Sequence, residues 1–155
     1  MEQVLLLNKG RLTVLGDYRL QTAAANSAGE QIWNSSSGCL QMICPDDQVV
    51  VVGDFHTYSS KSHTGSLTAG TLYVCSDFTQ TTGSATNFKP SGTHAVVLSG
   101  PQPQMVTFAS VNSQFNIHQR RRLFGRKKRS FMEKENSSLL ITSFHILWDP
   151  IQAVY

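Results

Sequence analysis

Three aspartates recur at one place in a repeated phrase. Asp17 follows Gly16, Asp54 follows Gly53 and Asp77 follows Ser76, and an aromatic residue comes next each time: Tyr18, Phe55, Phe78. Carboxylates stacked in a column repel unless a cation or backbone N–H groups satisfy them, so Asp17, Asp54 and Asp77 form a candidate calcium site. Aspartate after a small residue at a strand end is also a common turn former, its side chain bonding the backbone two residues on. Turn formation is the preferred account here, and Asp46-Asp47 after Pro45 reads the same way.

The other chemistry-bearing residues assemble less well. Cys39, Cys44 and Cys75 are odd in number and irregular in spacing. On a strand, Cys39 and Cys44 would face opposite sides, a poor start for zinc, so the cysteines are expected to be small buried hydrophobes. His56, His63 and His94 show no metal spacing and are expected to be exposed strand or loop residues. Tyr58, Tyr73 and Trp33 could stack on sugar rings. A polysaccharide lyase or hydrolase would need paired carboxylates or a basic residue in a groove. Arg11, Arg19, Lys61 and Lys89 come with no spaced acid pair, so neither an enzyme nor a cofactor is expected.

Charge is unevenly spread along the 155 residues. Residues 1–119 hold five Lys/Arg against seven Asp/Glu, net −2, whereas residues 120–155 hold eight against three, net +5. The basic character therefore belongs to one run containing Arg120, Arg121, Arg122, Arg126, Lys127, Lys128 and Arg129. That run is the candidate polyanion-binding arm, and nucleic acid is a partner only if this tail is genuine. No apolar run approaches the roughly 20 residues of a bilayer span. The N-terminus has no basic n-region and no small-residue cleavage site, so a signal peptide is not expected in this chain.

These residues must be positioned by short strands. Gly10-Arg11-Leu12-Thr13-Val14-Leu15-Gly16-Asp17-Tyr18 matches Gly70-Thr71-Leu72-Tyr73-Val74-Cys75-Ser76-Asp77-Phe78 in residue class, position for position. Val49-Val50-Val51-Val52-Gly53-Asp54-Phe55 is a third copy. A period near 23 made of alternating strands suits one turn of a parallel β-solenoid, with a β-sandwich as the structural alternative. Leu12/Val14, Val49/Val51 and Leu72/Val74 would point inward, while Thr13, Val50 and Tyr73 point out. Leu15, Val52 and Cys75 are expected to fill an apolar column, and Tyr18, Phe55 and Phe78 to stack between turns. The longer interval from Asp17 to Asp54 predicts a projecting loop within residues 23–37.

The phrases Val51-Val52-Gly53-Asp54-Phe55, Asn87-Phe88-Lys89-Pro90-Ser91-Gly92-Thr93-His94, Val96-Val97-Leu98-Ser99-Gly100 and Gln104-Met105-Val106-Thr107-Phe108 resemble the β-strand repeats of large secreted or surface proteins of Gram-positive anaerobic bacteria. The resemblance covers about residues 8–117. It implies a parallel solenoid, an extracellular or cell-surface setting within a longer protein, and a structural or adhesive part without catalytic residues. A cell-surface polysaccharide or a host surface would then be the partner. Cys75-Ser76 departs from the resembled pattern, and cysteines are unusual in that setting.

Residues 1–117 are thus expected to form the repeat region. Residues 118–155, basic and then apolar, share none of its grammar and are expected to stand outside the repeat fold. The functional expectation is a non-catalytic structural or adhesive segment. The alternatives are a carbohydrate-binding or carbohydrate-active β-helix module, and polyanion binding through the basic tail.

Overall fold

The computed structural model describes residues 3–116 and 144–146. Among them are twelve strands and no helix: β1 (Gln3–Leu7), β2 (Arg11–Val14), β3 (Tyr18–Ala25), β4 (Gln31–Ser35), β5 (Gly38–Met42), β6 (Gln48–Val51), β7 (Phe55–Thr57), β8 (Thr71–Val74), β9 (Phe78–Gln80), β10 (Ala95–Leu98), β11 (Gln104–Phe108) and β12 (Phe144–Ile146). The chain is all-β, and most of its strand pairing is parallel.

The strands form three sheets. β1 pairs in parallel with β5, and a parallel bridge from Met42 to Leu67 extends that line. β2, β6, β8 and β10 lie side by side, every neighbouring pair parallel. β3, β7, β9 and β11 form a second parallel series, flanked by antiparallel β4 and β12. The register sets Leu12 beside Val49, Val49 beside Leu72 and Leu72 beside Val96. Tyr18, Phe55 and Phe78 align likewise in the third sheet.

Alternation in β6 and β8 decides what is inside. Val49, Val51, Leu72 and Val74 are fully buried, while Val50 and Tyr73 between them are half-exposed. The stacked aromatics form the other half of the core. Tyr18 and Phe55 stack with centroids 5.2 Å apart at 17°, and Phe55 and Phe78 at 5.2 Å and 3°. Phe88 closes the column edge-on, 4.7 Å from Phe78. The two 5.2 Å stacking distances slightly exceed the strand spacing of roughly 4.8 Å, so the column follows directly from strand register.

Two glycines sustain the turns. Gly70 has φ of 79°, and a Cβ there would lie 2.6 Å from the Asp47 carbonyl oxygen. Gly92 has φ of 59°, and its missing Cβ leaves room for the Thr68 carbonyl. A side chain at either place meets backbone, which cannot yield as a flexible side chain would.

The predicted loop is a β-hairpin. Antiparallel β3 and β4 pair from Gln21–Ser35 to Ala25–Gln31, around a turn in which Asn26 Oδ1 accepts the Ala28 and Glu30 N–H groups, each at 2.9 Å. Other expectations need correction. Leu12 and Val14 point inward but are only half-buried, because β2 has a described neighbour on one side alone. Leu15, Val52 and Cys75 are not core filler: Leu15 is 83% exposed, Val52 46%, and Cys75 half-buried. They share the outward parity of Thr13, Val50 and Tyr73, so alternation itself turns them away from the core. Within residues 118–155, Phe144–Ile146 pairs antiparallel with β11, opposite in direction to the repeat strands.

Candidate functional site

The aspartate column forms at the corner between the second and third sheets. There each carboxylate reaches the matching residue of the next repeat, not the backbone two residues on. Asp17 Oδ1 accepts the Asp54 N–H at 2.9 Å, and Asp54 Oδ1 accepts the Asp77 N–H at 3.0 Å. Asp77 Oδ1 accepts the Met105 N–H at 2.8 Å. The ladder meets the need of stacked carboxylates with backbone donors, charge-assisted bonds stronger than neutral ones. The Asp54 N–H and then Arg19 hold the Asp17 carboxyl below its ordinary range.

A polar and aromatic cluster lies beside the ladder's first rung. Arg19 and Gln21 share a face of β3, and Ala23, of the same parity, pairs with Trp33 on β4. Arg19 Nη2 donates to Asp17 Oδ2 at 2.6 Å and Nη1 to Gln21 Oε1 at 3.1 Å. The guanidinium carbon lies 4.7 Å from the Trp33 ring centroid, a cation–π contact. Trp33 remains 38% exposed. Across the sheet, Arg19, His56, Thr79 and Thr107 fall in one outward row.

His56 Nε2 is 3.5 Å from Asp54 Oδ2, too long for a good hydrogen bond, and has no hydrogen-bond partner among the described residues. Burial, reinforced by Arg19, lowers the His56 pKa, so the ring is neutral at pH 7 and the contact is not a charge pair. Ligand atoms of Asp17, Asp54 and His56 come within 4.8 Å of one another. At Asp17 Oδ2, however, Arg19 already supplies the positive charge that a cation would bring, and Asp77 lies outside the group.

The remaining histidines contradict their sequence reading. His63 and His94 are wholly buried, not exposed. Each ring places Nδ1 against a carbonyl: His63 against Asn87, and His94 against Ala69 at 2.9 Å. Each Nε2 is buried without a hydrogen-bond partner among the described residues. Desolvation pushes the His63 pKa down to about 4 and lowers that of His94. Asn87 sits at the centre of this buried polar layer. Its amide donates to the Ser59 and Thr81 carbonyls, and its oxygen accepts from Gln80.

Asp47 also lies deeper than a surface turn residue would. It is fully buried, and its carboxylate accepts N–H groups from Lys9 at 2.8 Å, Ile43 at 3.0 Å and Cys44 at 2.9 Å. Three donors satisfy the buried carboxylate's oxygens. Among the cysteines, Cys39 is buried as expected, whereas Cys44 and Cys75 are half-buried, and all three are free. Tyr58 and Tyr73 are half-buried and stand apart from Trp33 in the strand order. The basic run Arg120, Arg121, Arg122, Arg126, Lys127, Lys128 and Arg129 lies outside the described residues.

Pairing of Arg19 with Trp33 was the feature missed from sequence. Its signal was the outward parity of Arg19, Gln21 and Ala23, continued across the turn at Asn26-Ser27-Ala28-Gly29. In comparisons with known proteins, the chain matches no family model, no curated protein and no solved structure.

Proposed function

We propose that residues 8–117 are a parallel β-solenoid segment with a non-catalytic structural or adhesive role in a bacterial surface or secreted protein. The observation that carries this reading is the aspartate ladder, in which one contact recurs at successive repeats, Asp17 to Asp54, Asp54 to Asp77 and Asp77 to Met105. Chemistry repeated along an axis serves extension and display, because every repeat offers its neighbour the same surface. Catalysis instead needs one unlike place where acid, base or nucleophile converge. The recurring polar groups here are spent on backbone donors. The outward faces remain for contact with a surface or partner, as the resemblance to surface-protein repeats implies.

Protease shaving of intact producing cells tests the setting. Antibody against residues 8–117 should detect the protein before shaving and lose the signal afterwards, while a cytosolic marker persists. A signal that survives shaving and appears only on lysis would contradict the surface role.

A further inference from the structure

We propose that the free edge of the first turn pairs with the same edge of a second copy of this chain, about a two-fold axis at Thr13. This goes beyond the structural or adhesive reading and does not depend on it. Among the described residues, β1 pairs only with β5 and β2 only with β6, and residues 18–20 of β3 pair only with β7, since β4 flanks residues 21–25. The Gly10 and Val14 carbonyls accept the Gln48 and Val52 N–H groups, each at 2.9 Å. Alternate residues of a strand bond to the same side, so Arg11 and Thr13 turn their N–H and C=O groups to the free edge. Such an edge is a template for another strand. Apolar surface gathers at the same turn, where Val4, Leu5, Leu6 and Leu15 are between 41% and 83% exposed.

Register selects a second copy as the occupant. Antiparallel pairing centred on Thr13 sets Thr13 opposite its own counterpart as a hydrogen-bonded pair, and Leu12 opposite the partner's Val14. Leu12 and Val14 both point inward and are half-buried in the single chain, so alternation stays in phase across the junction and each covers the other. Arg11 then falls opposite the partner's Leu15, the most exposed of these apolar residues, and its aliphatic stem covers it. One turn has three sides, β1, β2 and β3 in order, so a two-fold axis through β2 exchanges the outer two. β1 of each copy meets residues 18–20 of the other, which covers the apolar side chains of β1 and the second face of the Tyr18 ring, stacked on Phe55 by its first. The opposite end of the molecule does not fit this edge: β11 carries antiparallel β12, so a head-to-tail stack would not continue the parallel third sheet. Pairing of like edges is isologous and stops at two copies.

Sedimentation velocity of the full chain should show a dimer that dissociates on dilution through the micromolar range. Thr13→Pro removes an N–H that faces the free edge, a change that edge strands accept, and Thr13→Lys sets like charges opposite each other across the two-fold axis. Each should weaken dimerisation about tenfold or more, with far-UV circular dichroism unaltered. Thr13 is exposed and points outward, so Thr13→Lys decides the matter should Thr13→Pro fail to fold. Hydrogen exchange at the Thr13 amide should be slow in the dimer and fast in the dilute monomer. A monomer at every concentration would overturn the proposal, as would assemblies that grow beyond two copies or undiminished dimerisation of folded Thr13→Lys. Slow exchange at Thr13 in a monomer would mean that other residues of the same chain cover the edge, and would overturn it as well.

Discussion

Leu12 and Leu72 are the same residue type at equivalent positions of aligned strands, yet Leu72 is fully buried and Leu12 half-exposed. Tyr18 and Phe55 differ in the same way: Phe55 has a ring stacked on each side, Tyr18 on one. Alternation decides which way a side chain points. How deeply it is buried depends on whether a strand lies on both flanks, and among the described residues β8 is flanked by β6 and β10 where β2 has only β6. Stability should therefore be concentrated in the middle repeats and decline towards the first.

The largest effect should come from the middle of the aromatic column. Phe78→Ala removes a fully buried ring that touches Phe55, Phe88, Phe108 and Phe115. It should cost about 3–5 kcal/mol in urea denaturation. Leu72→Ala should cost about 2–5 kcal/mol, and Leu12→Ala less than half of its counterpart, on the order of 1 kcal/mol. Equal costs for the two leucines would break the comparison between first and middle repeats.

Acid should act on the same buried middle. The His63 pKa is about 4 in the folded protein, against an ordinary histidine value of 6.5. A lowered folded pKa means that the unfolded chain takes up the proton first. Stability is therefore complete above about pH 6.5 and is lost as pH falls towards 4, by about 3 kcal/mol at the lower end. His94, also lowered, works in the same direction. Urea midpoints measured across that window should fall with acid, and His63→Gln should flatten the fall.

The smallest effects belong to the ladder, which lies at a partly exposed corner. Asp54→Asn keeps an oxygen able to accept the Asp77 N–H and should be nearly neutral. Asp54→Ala, which leaves that donor without its acceptor, should cost about 1 kcal/mol. Calcium should leave the melting temperature unchanged. A rise with calcium that Asp54→Asn abolishes would instead mean that the carboxylates share a cation.

How far these features were legible follows from what periodicity encodes. Inward Val49, Val51, Leu72 and Val74, the stacked Tyr18, Phe55 and Phe78, and the inserted segment before β5 all express local pattern plus repeat length. Burial of His63 and His94 was not legible, because it is created by Asn87 and Ala69, 24 and 25 residues distant. Leu15 and Val52 misled because their apolar character was read against their outward parity, which they share with Thr13 and Val50. The Arg19–Trp33 contact needed the hairpin register, which a one-residue slip would have reversed.

The parallel stack is tested most directly by nuclear Overhauser contacts in the labelled full chain. Ring protons of Phe55 should contact those of both Tyr18 and Phe78, and backbone contacts should join Val49 to Leu72 and Val51 to Val74 in one consistent direction. Contacts pairing Val49 with Val74 and Val51 with Leu72, the order of antiparallel neighbours, would contradict the account.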